Sequence, residues 1–314
     1  MSMSNVSRPP RRTALLVGIN YNNNPDARLN GCYNDVVNAS QYIRSVLGYA
    51  PSAISVLTDG HRNESTTTTA TTSTITGAST IPPTRENILA GISALISGMI
   101  PGDEAVFHFS GHGSLVRDTN DDEVAGYDSC LCALDDTIIT DDEIRTLLIN
   151  KVPRGARLYV ILDCCHNGTG CDIRHRYEDY SILLSPPSVR IPVWRTEQKA
   201  FTNDKYANTI GDVFMISGSR DDQTSADDYI NNEYAGALTH ALFSILRTNQ
   251  ARIRTYSWSE LLREVRHFMR VNRYAQIPQI MTGQFISPSR PVFQVPESGS
   301  LNRKNLQFRL MNIK

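Results

Sequence analysis

Short hydrophobic runs recur along the chain and alternate with segments that are apolar on one side only. Nearly continuous runs of strand length are typical of strands that are covered on both faces, as in a parallel sheet. The runs lie at Thr13–Asn20, Ala53–Leu57, Glu104–Phe109, Ala156–Leu162 and Asp212–Ser217. We therefore predict that these five segments are buried strands.

The segments between and after these runs place apolar residues at helical spacing. Asp141–Ile149 opens with acidic residues, which suit the N-terminus of a helix. The other predicted helices are Asn34–Leu47, Thr84–Ile96, Tyr234–Leu246 and Trp258–Val271. Strands that alternate with helices indicate an α/β fold, here an open, mostly parallel central sheet with helices on both faces.

Two segments lack periodicity. Ser65–Thr76 is rich in threonine and is predicted to be a surface loop. The proline-containing segment 174–211 is predicted to be a linker. It separates residues 13–173, which carry most of the sheet, from residues 212–314, which form a smaller part of the same domain. Residues 1–12 are expected to form a flexible N-terminus.

Composition and charge narrow the class of protein. The chain has 314 residues, of which 40% are hydrophobic, so it can bury a large core. Its net charge of −1 gives no electrostatic footprint for nucleic acid or an anionic membrane. The longest apolar stretch, Ile88–Ile100, is too short and too mixed to span a bilayer, and no secretory signal is evident. We expect a cytoplasmic protein that binds neither nucleic acid nor membrane.

The six cysteines are poorly spaced for disulfide bridges. Cys164 and Cys165 are adjacent, and Cys130 and Cys132 are separated by one residue. The chain contains no Cys-x-x-Cys pair, which disfavours a zinc site. The spacing therefore favours reduced thiols in a cytosol-like compartment.

A histidine and a cysteine follow two of the predicted strands. His112 lies between two glycines after the Glu104 strand, and Cys165 follows the Ala156 strand. If these strands are neighbours, the two side chains can face each other at the carboxyl edge of the sheet. An imidazole can take the proton of a thiol and later return a proton to a leaving amine. We therefore predict His112 as general base and Cys165 as nucleophile, with the N–H groups of Gly113 and Cys165 as oxyanion hole.

Neighbouring residues compete for these two roles. Side-chain alternation directs Cys164 into the fold and turns His166 away from the side chain of Cys165. His108 lies within a strand and is predicted to be a packed core histidine. The simplest alternative is that Cys165 is a small buried residue without chemistry.

Several short segments together resemble the metacaspases, which are caspase-fold cysteine proteases of protists, fungi, plants and bacteria. The segments lie between about Thr13 and Thr282 and read LVGINY, GCYNDV, FHFSGHGS, GYDSCLCALD, TDDEI, DCCHNGTG and ISGSRDDQTSAD. Their order is similar to that of the type I group, although the usual prodomain is missing and Asn167 replaces a usual serine. The resemblance implies a caspase-like fold, the same His112–Cys165 dyad and peptide cleavage through a thioacyl-enzyme intermediate.

The resemblance also implies an acidic specificity pocket. It places Asp35 and Asp163 in the pocket, with Cys32 and Ser110 lining it. Two carboxylates attract a cationic side chain, and a guanidinium can be bound bidentately. Protein or peptide substrates with Arg or Lys before the scissile bond are therefore expected. From the sequence pattern alone, Asp35 could instead cap the helix that begins near it.

Acidic residues are frequent near the dyad and raise the question of a cation. The segment that begins at Asp118 resembles the start of an EF-hand loop, but Glu123 occupies the required glycine position. A solvated acidic loop is the alternative to a metal site. The resemblance implies a Ca²⁺ site formed by Asp128, Asp141, Asp142 and Asp172. Since Asp172 lies seven residues after Cys165, Ca²⁺ is expected to order the catalytic loop and activate the protein.

These features favour a calcium-stimulated cysteine endopeptidase, and the resemblance implies that it acts as a monomer. Its zymogen is expected to be cleaved within 174–211, where Arg190, Arg195, Lys199 and Lys205 offer basic sites. The segment Asp221–Asp227 is predicted to form a wall of the substrate groove, although its composition also suits a plain turn. The alternative function is a caspase-fold regulatory or scaffold protein that acts mainly by binding. Separase-, legumain- or gingipain-like proteases are disfavoured by the GCYNDV and DDQTSAD segments.

Overall fold

The structure of the chain is a computed structural model. It describes residues 8–60, 81–117, 127–164, 171–183, 194–218, 227–230 and 233–293. The helices are α1 (Cys32–Ser45), α2 (Arg85–Ile96), α3 (Asp141–Leu147), α4 (Ala237–Thr248) and α5 (Trp258–Val271). The strands are β1 (Arg12–Gly18), β2 (Ile54–Thr58), β3 (Glu104–Ser110), β4 (Gly113–Arg117), β5 (Tyr127–Cys132), β6 (Ile138–Thr140), β7 (Arg157–Asp163), β8 (His175–Leu183), β9 (Trp194–Thr202), β10 (Asp212–Ser217), β11 (Asp227–Ile230), β12 (Glu233–Gly236) and β13 (Gln279–Thr282).

An eight-stranded sheet forms the centre of the molecule, in the order β2-β1-β3-β7-β10-β13-β8-β9. The strands from β2 to β10 pair in parallel, whereas β13, β8 and β9 pair antiparallel. The prediction of an α/β fold is therefore confirmed, with a sheet that is mixed. The antiparallel strands escaped the sequence analysis because β13 is short and the sequence of β8 is largely polar.

Helices cover both faces of the sheet, and each face has its own hydrophobic core. One core joins α1, α4 and α5 to strand residues such as Leu16 and Tyr159. The other joins α2 and α3 to the alternate strand residues, such as Leu15 and Phe107. Burial on both sides explains why the central strands appear in the sequence as continuous apolar runs.

The segment 174–211 differs from the irregular linker that was expected. It contains β8 and β9, which form an antiparallel pair from His175↔Thr202 to Leu183↔Trp194 and extend the sheet beyond β13. Strands near a sheet edge do not need continuous apolar sequence, so this pair gave no signal of the kind used for the buried strands. The division of the domain into a larger and a smaller part stays a prediction.

The N-terminal segment also differs from expectation, since its described residues are anchored. The Arg8 guanidinium pairs with the Asp103 carboxylate, which also accepts the backbone N–H of Arg11 at 2.6 Å. Burial alone would raise the pKa of Asp103, but the hydrogen bonds from Arg8 and Arg11 lower it to about 2. Ser65–Thr76 lies outside the described residues. No helix in the described part of the chain is long and apolar enough to cross a membrane.

His108 is a fully buried polar residue in the middle of β3, as the sequence analysis predicted. Its Nε2 atom lies 3.2 Å from the hydroxyl of Thr239 on α4. Desolvation lowers the pKa of His108 from 6.5 to about 3, because the charged imidazolium would lose its hydration in this position. The imidazole is therefore neutral at physiological pH.

This burial predicts a specific pH dependence of folding stability. Between pH 3 and pH 6.5, the unfolded chain binds a proton at His108 that the folded chain does not, so stability must fall as pH falls through this window. His108→Gln removes that proton from the balance. Denaturant titrations between pH 6 and pH 4 measure the effect. For each unit by which pH falls, the free energy of unfolding should decrease by about 1.4 kcal/mol less in the variant than in the wild type. Equal slopes would contradict a neutral buried His108.

Candidate active site

The carboxyl ends of β3 and β7 meet at one point of the sheet edge. Ser110 pairs directly with Asp163, and the Gly111 N–H donates to the Asp163 carbonyl oxygen at 3.4 Å. The prediction that these two strands are neighbours is therefore confirmed. Each leads into one half of the predicted dyad, since His112 and Cys165 follow two residues after their ends. Cys165, His166 and Asn167 lie outside the described residues, so the role of Cys165 stays a prediction.

His112 is fixed by contacts to both its backbone and its ring. Its N–H donates to the Tyr21 hydroxyl at 2.9 Å, and its ring centroid lies 4.7 Å from that of Tyr21. Its Nε2 atom lies 2.6 Å from the carbonyl oxygen of Ala27. Because a carbonyl oxygen can only accept, Nε2 carries the hydrogen in this contact. In the neutral imidazole, Nδ1 is then the nitrogen that can take a proton from a nucleophile.

Tyr21 is a site residue to which the sequence analysis gave no role. Its side chain is buried, and its hydroxyl donates to the carbonyl oxygen of Cys132 at 2.7 Å. The Cys132 N–H in turn donates to the carbonyl oxygen of His112 at 3.0 Å. Only its position in the sequence could have indicated this role, because Tyr21 follows β1 at the same sheet edge that carries His112.

The close approach of Tyr21 explains why a glycine precedes His112. A Cβ atom at Gly111 would lie 3.0 Å from the Tyr21 hydroxyl oxygen and 3.0 Å from the Phe109 ring. Both are buried groups in tight packing, so any larger side chain would displace them. Gly113 begins β4 and pairs with Leu131 of β5, so its N–H lies directly beyond His112.

Asp35 is a fully buried carboxylate in the first turn of α1. It accepts the Ser110 hydroxyl at 2.6 Å and the Gly236 N–H at 3.0 and 3.1 Å from its two oxygens. The residue at the helix N-cap position is Gly31, and no side chain caps this helix. The interpretation of Asp35 as an N-cap is therefore wrong.

Asp163 ends β7, and its Oδ2 atom accepts the Thr239 N–H at 2.7 Å. Since Thr239 lies in the first turn of α4, the positive end of that helix faces the carboxylate. A Cβ at Gly236 would lie 2.3 Å from Asp163 Oδ2 and 2.8 Å from Asp35 Oδ2, so both carboxylates converge on this glycine. The structure thus brings Asp35, Ser110 and Asp163 together.

The fourth predicted pocket residue, Cys32, is buried at the start of α1, and its N–H donates to Asn20 Oδ1 at 3.0 Å. Gly236 and Thr239 were missed by the sequence analysis. The sequence offered one indication of them. Gly236 occupies the N-cap position of α4, where a residue with a side-chain oxygen is more usual.

Three of the four predicted metal ligands are buried carboxylates, namely Asp128, Asp141 and Asp172. Asp141 begins α3 and accepts the N–H groups of Ser129 and Asp142 at 3.0 and 3.1 Å. Oxygen donors of this kind fit calcium chemically. However, no three His, Cys, Asp or Glu side chains within the described ranges converge closely enough to hold a metal ion. Residues 118–126, with the remainder of the acidic loop, lie outside those ranges.

The chain that returns from Cys165 has a constrained backbone. Cys171 and Asp172 have φ values of +73° and +51°, a region that residues other than glycine rarely adopt. Arg145 of α3 donates to the carbonyl oxygen of Asp172, and to that of Ala207 at 2.8 Å. Burial raises the pKa of the Cys171 thiol, and the nearby carboxylates of Asp141 and Asp172 raise it further. The segment is therefore tied to α3, which carries Asp141.

The other cysteines agree with the sequence analysis. Cys164 is fully buried in the core with α2 and α3, which confirms that it points into the fold. The described cysteines are all free thiols. Of the predicted groove wall Asp221–Asp227, only Asp227 is described, at the start of β11.

The sequence of this chain is similar to those of known proteins. Residues 12–174, more than half of the chain, match the family described as metacaspase, peptidase C14 domain. The chain belongs to the metacaspase family. Metacaspase-1 of Schizosaccharomyces pombe is 30% identical over 86% of this chain and 67% of its own length. Metacaspase-1A of Aspergillus oryzae is 32% identical over 92% of this chain and 71% of its own length.

A crystal structure of a Geobacter sulfurreducens protein has the same fold, with a TM-score of 0.58 at 24% identity. It covers 92% of this chain and 100% of its own. As a metacaspase, the chain is a cysteine-type endopeptidase, which favours this function over the alternative of a scaffold that acts only by binding.

The convergence on Gly236 predicts that even a methyl group is harmful there. Gly236→Ala places a Cβ against two carboxylates that cannot retreat, so α4 or β7 must shift. We expect a loss of about 1–3 kcal/mol in the free energy of unfolding, as for other overpacked sites, together with reduced peptide hydrolysis. Denaturant titration and initial rates measure the two effects.

Gly91→Ala is the matched control. Its added Cβ would lie 3.0 Å from the δ-carbons of Leu15, which are the flexible end of a side chain, and alanine favours the interior of α2. Equal stability and activity in both variants would mean that Gly236 is not held between the carboxylates.

Proposed function

We propose that this metacaspase cleaves peptide bonds after Arg or Lys through Cys165 and His112, and that Ca²⁺ stimulates it. The observation that supports this most directly is the convergence of Asp35 and Asp163 on Gly236. The two carboxylates lie at the edge where β3 and β7 lead to His112 and Cys165.

A cationic substrate side chain would complement the charge of these carboxylates. The donors to these carboxylates include the Ser110 hydroxyl and the N–H groups of Gly236 and Thr239. A guanidinium brings the opposite charge together with a planar set of donors, and a Lys ammonium brings the charge alone.

The proposed reaction begins with proton transfer from the Cys165 thiol to Nδ1 of His112. The thiolate attacks the carbonyl carbon of the scissile bond, while the N–H groups of Gly113 and Cys165 hydrogen-bond the developing oxyanion. The imidazolium returns its proton to the leaving amine as the C–N bond breaks. Water activated by His112 then hydrolyses the thioester. Throughout, the Ala27 carbonyl accepts the Nε2 hydrogen and keeps the ring in the productive orientation.

Calcium would be held by Asp128, Asp141, Asp142 and Asp172, where it would supply the positive charge that buried carboxylates need. Asp172 lies on the chain that returns from Cys165, and Arg145 ties its backbone to the helix that carries Asp141 and Asp142. Ion binding requires these carboxylates to come closer together than they are here. The loop that carries Cys165 would then be constrained at its far end.

Self-cleavage is proposed at Lys205 in preference to the other three predicted sites, Arg190, Arg195 and Lys199. Arg195 and Lys199 lie on β9 and are paired along β8, so the strand would have to leave the sheet before a protease could bind it. Lys205 lies in an exposed turn after β9, where proteolysis is favoured. Arg190 lies outside the described residues.

A positional peptide scan tests the proposed specificity. The wild type should cleave after Arg and Lys, and Cys165→Ala should abolish this cleavage. Asp163→Asn keeps an oxygen for the Thr239 N–H but removes the charge. It should therefore lower kcat/KM for Arg peptides by about 30-fold or more, the usual effect of removing one partner of a buried charge pair.

The matched control is Asp204→Asn, at an exposed carboxylate whose partner is Arg174. It should leave the preference for Arg unchanged. Cleavage by Cys165→Ala at the wild-type rate would refute the dyad. An Asp163→Asn variant that retains the full preference for Arg would refute the acidic pocket.

Chelation tests the proposed calcium site. We expect chelation to lower peptidase activity and added Ca²⁺ to restore it, whereas Mg²⁺ should not substitute because it demands a stricter geometry. Ca²⁺ should also raise the melting temperature of the Cys165→Ala variant, which reports binding without turnover. Asp172→Asn should abolish both effects. A calcium response that persists in Asp172→Asn, or no response in the wild type, would contradict this assignment.

A further inference from the structure

We propose that Tyr21 is a positioning residue for His112, and that Asp59 holds Tyr21 in the backbone conformation this requires. The inference rests on the proposed function in one respect, namely that His112 is the general base. It adds two residues that set the rate of the reaction without touching the substrate.

The contacts of Tyr21 determine both the place and the orientation of His112. The hydroxyl accepts the His112 N–H at 2.9 Å and donates to the Cys132 carbonyl oxygen at 2.7 Å, so its direction is set at both ends. The aromatic ring lies against the imidazole with an interplanar angle of 36°. Burial raises the pKa of Tyr21, which keeps the hydroxyl protonated and able to make both contacts.

The backbone of Tyr21 is unusual for a bulky residue. Its φ value is +53°, and it is the only aromatic residue with positive φ in the described part of the chain. Side chains with a Cβ rarely adopt this region, and bulky ones do so only where the surrounding structure imposes it. The conformation turns the chain sharply after β1 and directs the Tyr21 side chain toward the carboxyl end of β3.

The Asp59 carboxylate is the group that imposes this conformation. Its Oδ1 accepts the N–H of Asn20 at 2.8 Å, and its Oδ2 accepts the N–H of Asn22 at 2.9 Å. One carboxylate therefore holds the residues on both sides of Tyr21. Asp59 directly follows β2, which pairs in parallel with β1 up to Gly18↔Thr58. The pairing of the two strands therefore fixes the position of Asp59.

Tyr21→Phe is the direct test, since it keeps the ring and removes only the hydroxyl. The kcat for an Arg-ended peptide should fall about tenfold or more, as expected when a catalytic group is misplaced by a fraction of an ångström. KM should not change, because the acidic pocket is intact. Alkylation of Cys165 by iodoacetamide, which needs no substrate pocket, should slow at neutral pH because the thiolate depends on His112.

Asp59→Asn should shift kcat in the same direction, because an amide offers only one acceptor oxygen for the two N–H groups. If Asp59 acts through Tyr21, the double variant should lose no more than the worse of the two single variants. Additive losses in the double variant would overturn the role given to Asp59.

Tyr177→Phe is the matched control for a loss of stability. Its buried hydroxyl also bridges a backbone carbonyl and a backbone N–H, at 2.9 and 2.8 Å, but both belong to Ile286. It should lower the melting temperature about as much as Tyr21→Phe while leaving kcat unchanged. Equal losses of kcat in the two variants would overturn the positioning role.

The outcomes separate this inference from the proposed function. If His112→Ala and Cys165→Ala are inactive while Tyr21→Phe keeps the wild-type kcat, the inference fails and the dyad stands. If His112→Ala cleaves at the wild-type rate, the proposed mechanism fails, and a role for Tyr21 in positioning the base fails with it.

Discussion

The parallel pairing of β3 with β7 is the interaction on which the site depends. It places Ser110 opposite Asp163, so the segments that lead to His112 and Cys165 begin side by side. Both strands are buried on both faces, and a shift of register by one residue would exchange the residues of the two cores. The hydrophobic packing that specifies the register therefore also specifies where the two halves of the proposed dyad meet.

The pair of buried carboxylates, Asp35 and Asp163, is a second consequence of this edge, and it joins distant parts of the chain. Buried carboxylates are costly unless donors surround them. Here the donors come from α4, whose first turn supplies the N–H of Thr239 to Asp163, while the preceding Gly236 supplies its N–H to Asp35. Backbone groups from the later part of the chain thus hydrogen-bond two carboxylates that belong to its earlier part.

The sequence was informative wherever a single local pattern carried the signal. The bounds of α5 and β10 match the predicted Trp258–Val271 and Asp212–Ser217, because periodicity and apolar runs follow directly from burial. The β8–β9 pair was missed because strands near an edge need no such run. Gly236 was missed for another reason: its role is to be close to two carboxylates, and closeness in space between distant residues leaves no local pattern.

Contacts made by backbone groups cannot be predicted from residue types, and such contacts fix the tautomer and the position of the His112 ring. Its ring tautomer follows from the carbonyl of Ala27, which every residue type possesses. Its placement follows from Tyr21, whose left-handed backbone costs about 1–3 kcal/mol that packing must offset. The same strain recurs at Cys171 and Asp172, on the chain that returns from Cys165. Unfavourable backbone thus occurs at Tyr21, which contacts His112, and on the chain that follows Cys165, the two residues of the proposed dyad. Such conformations persist where surrounding contacts outweigh them, as the Asp59 carboxylate does around Tyr21 and Arg145 does at Asp172.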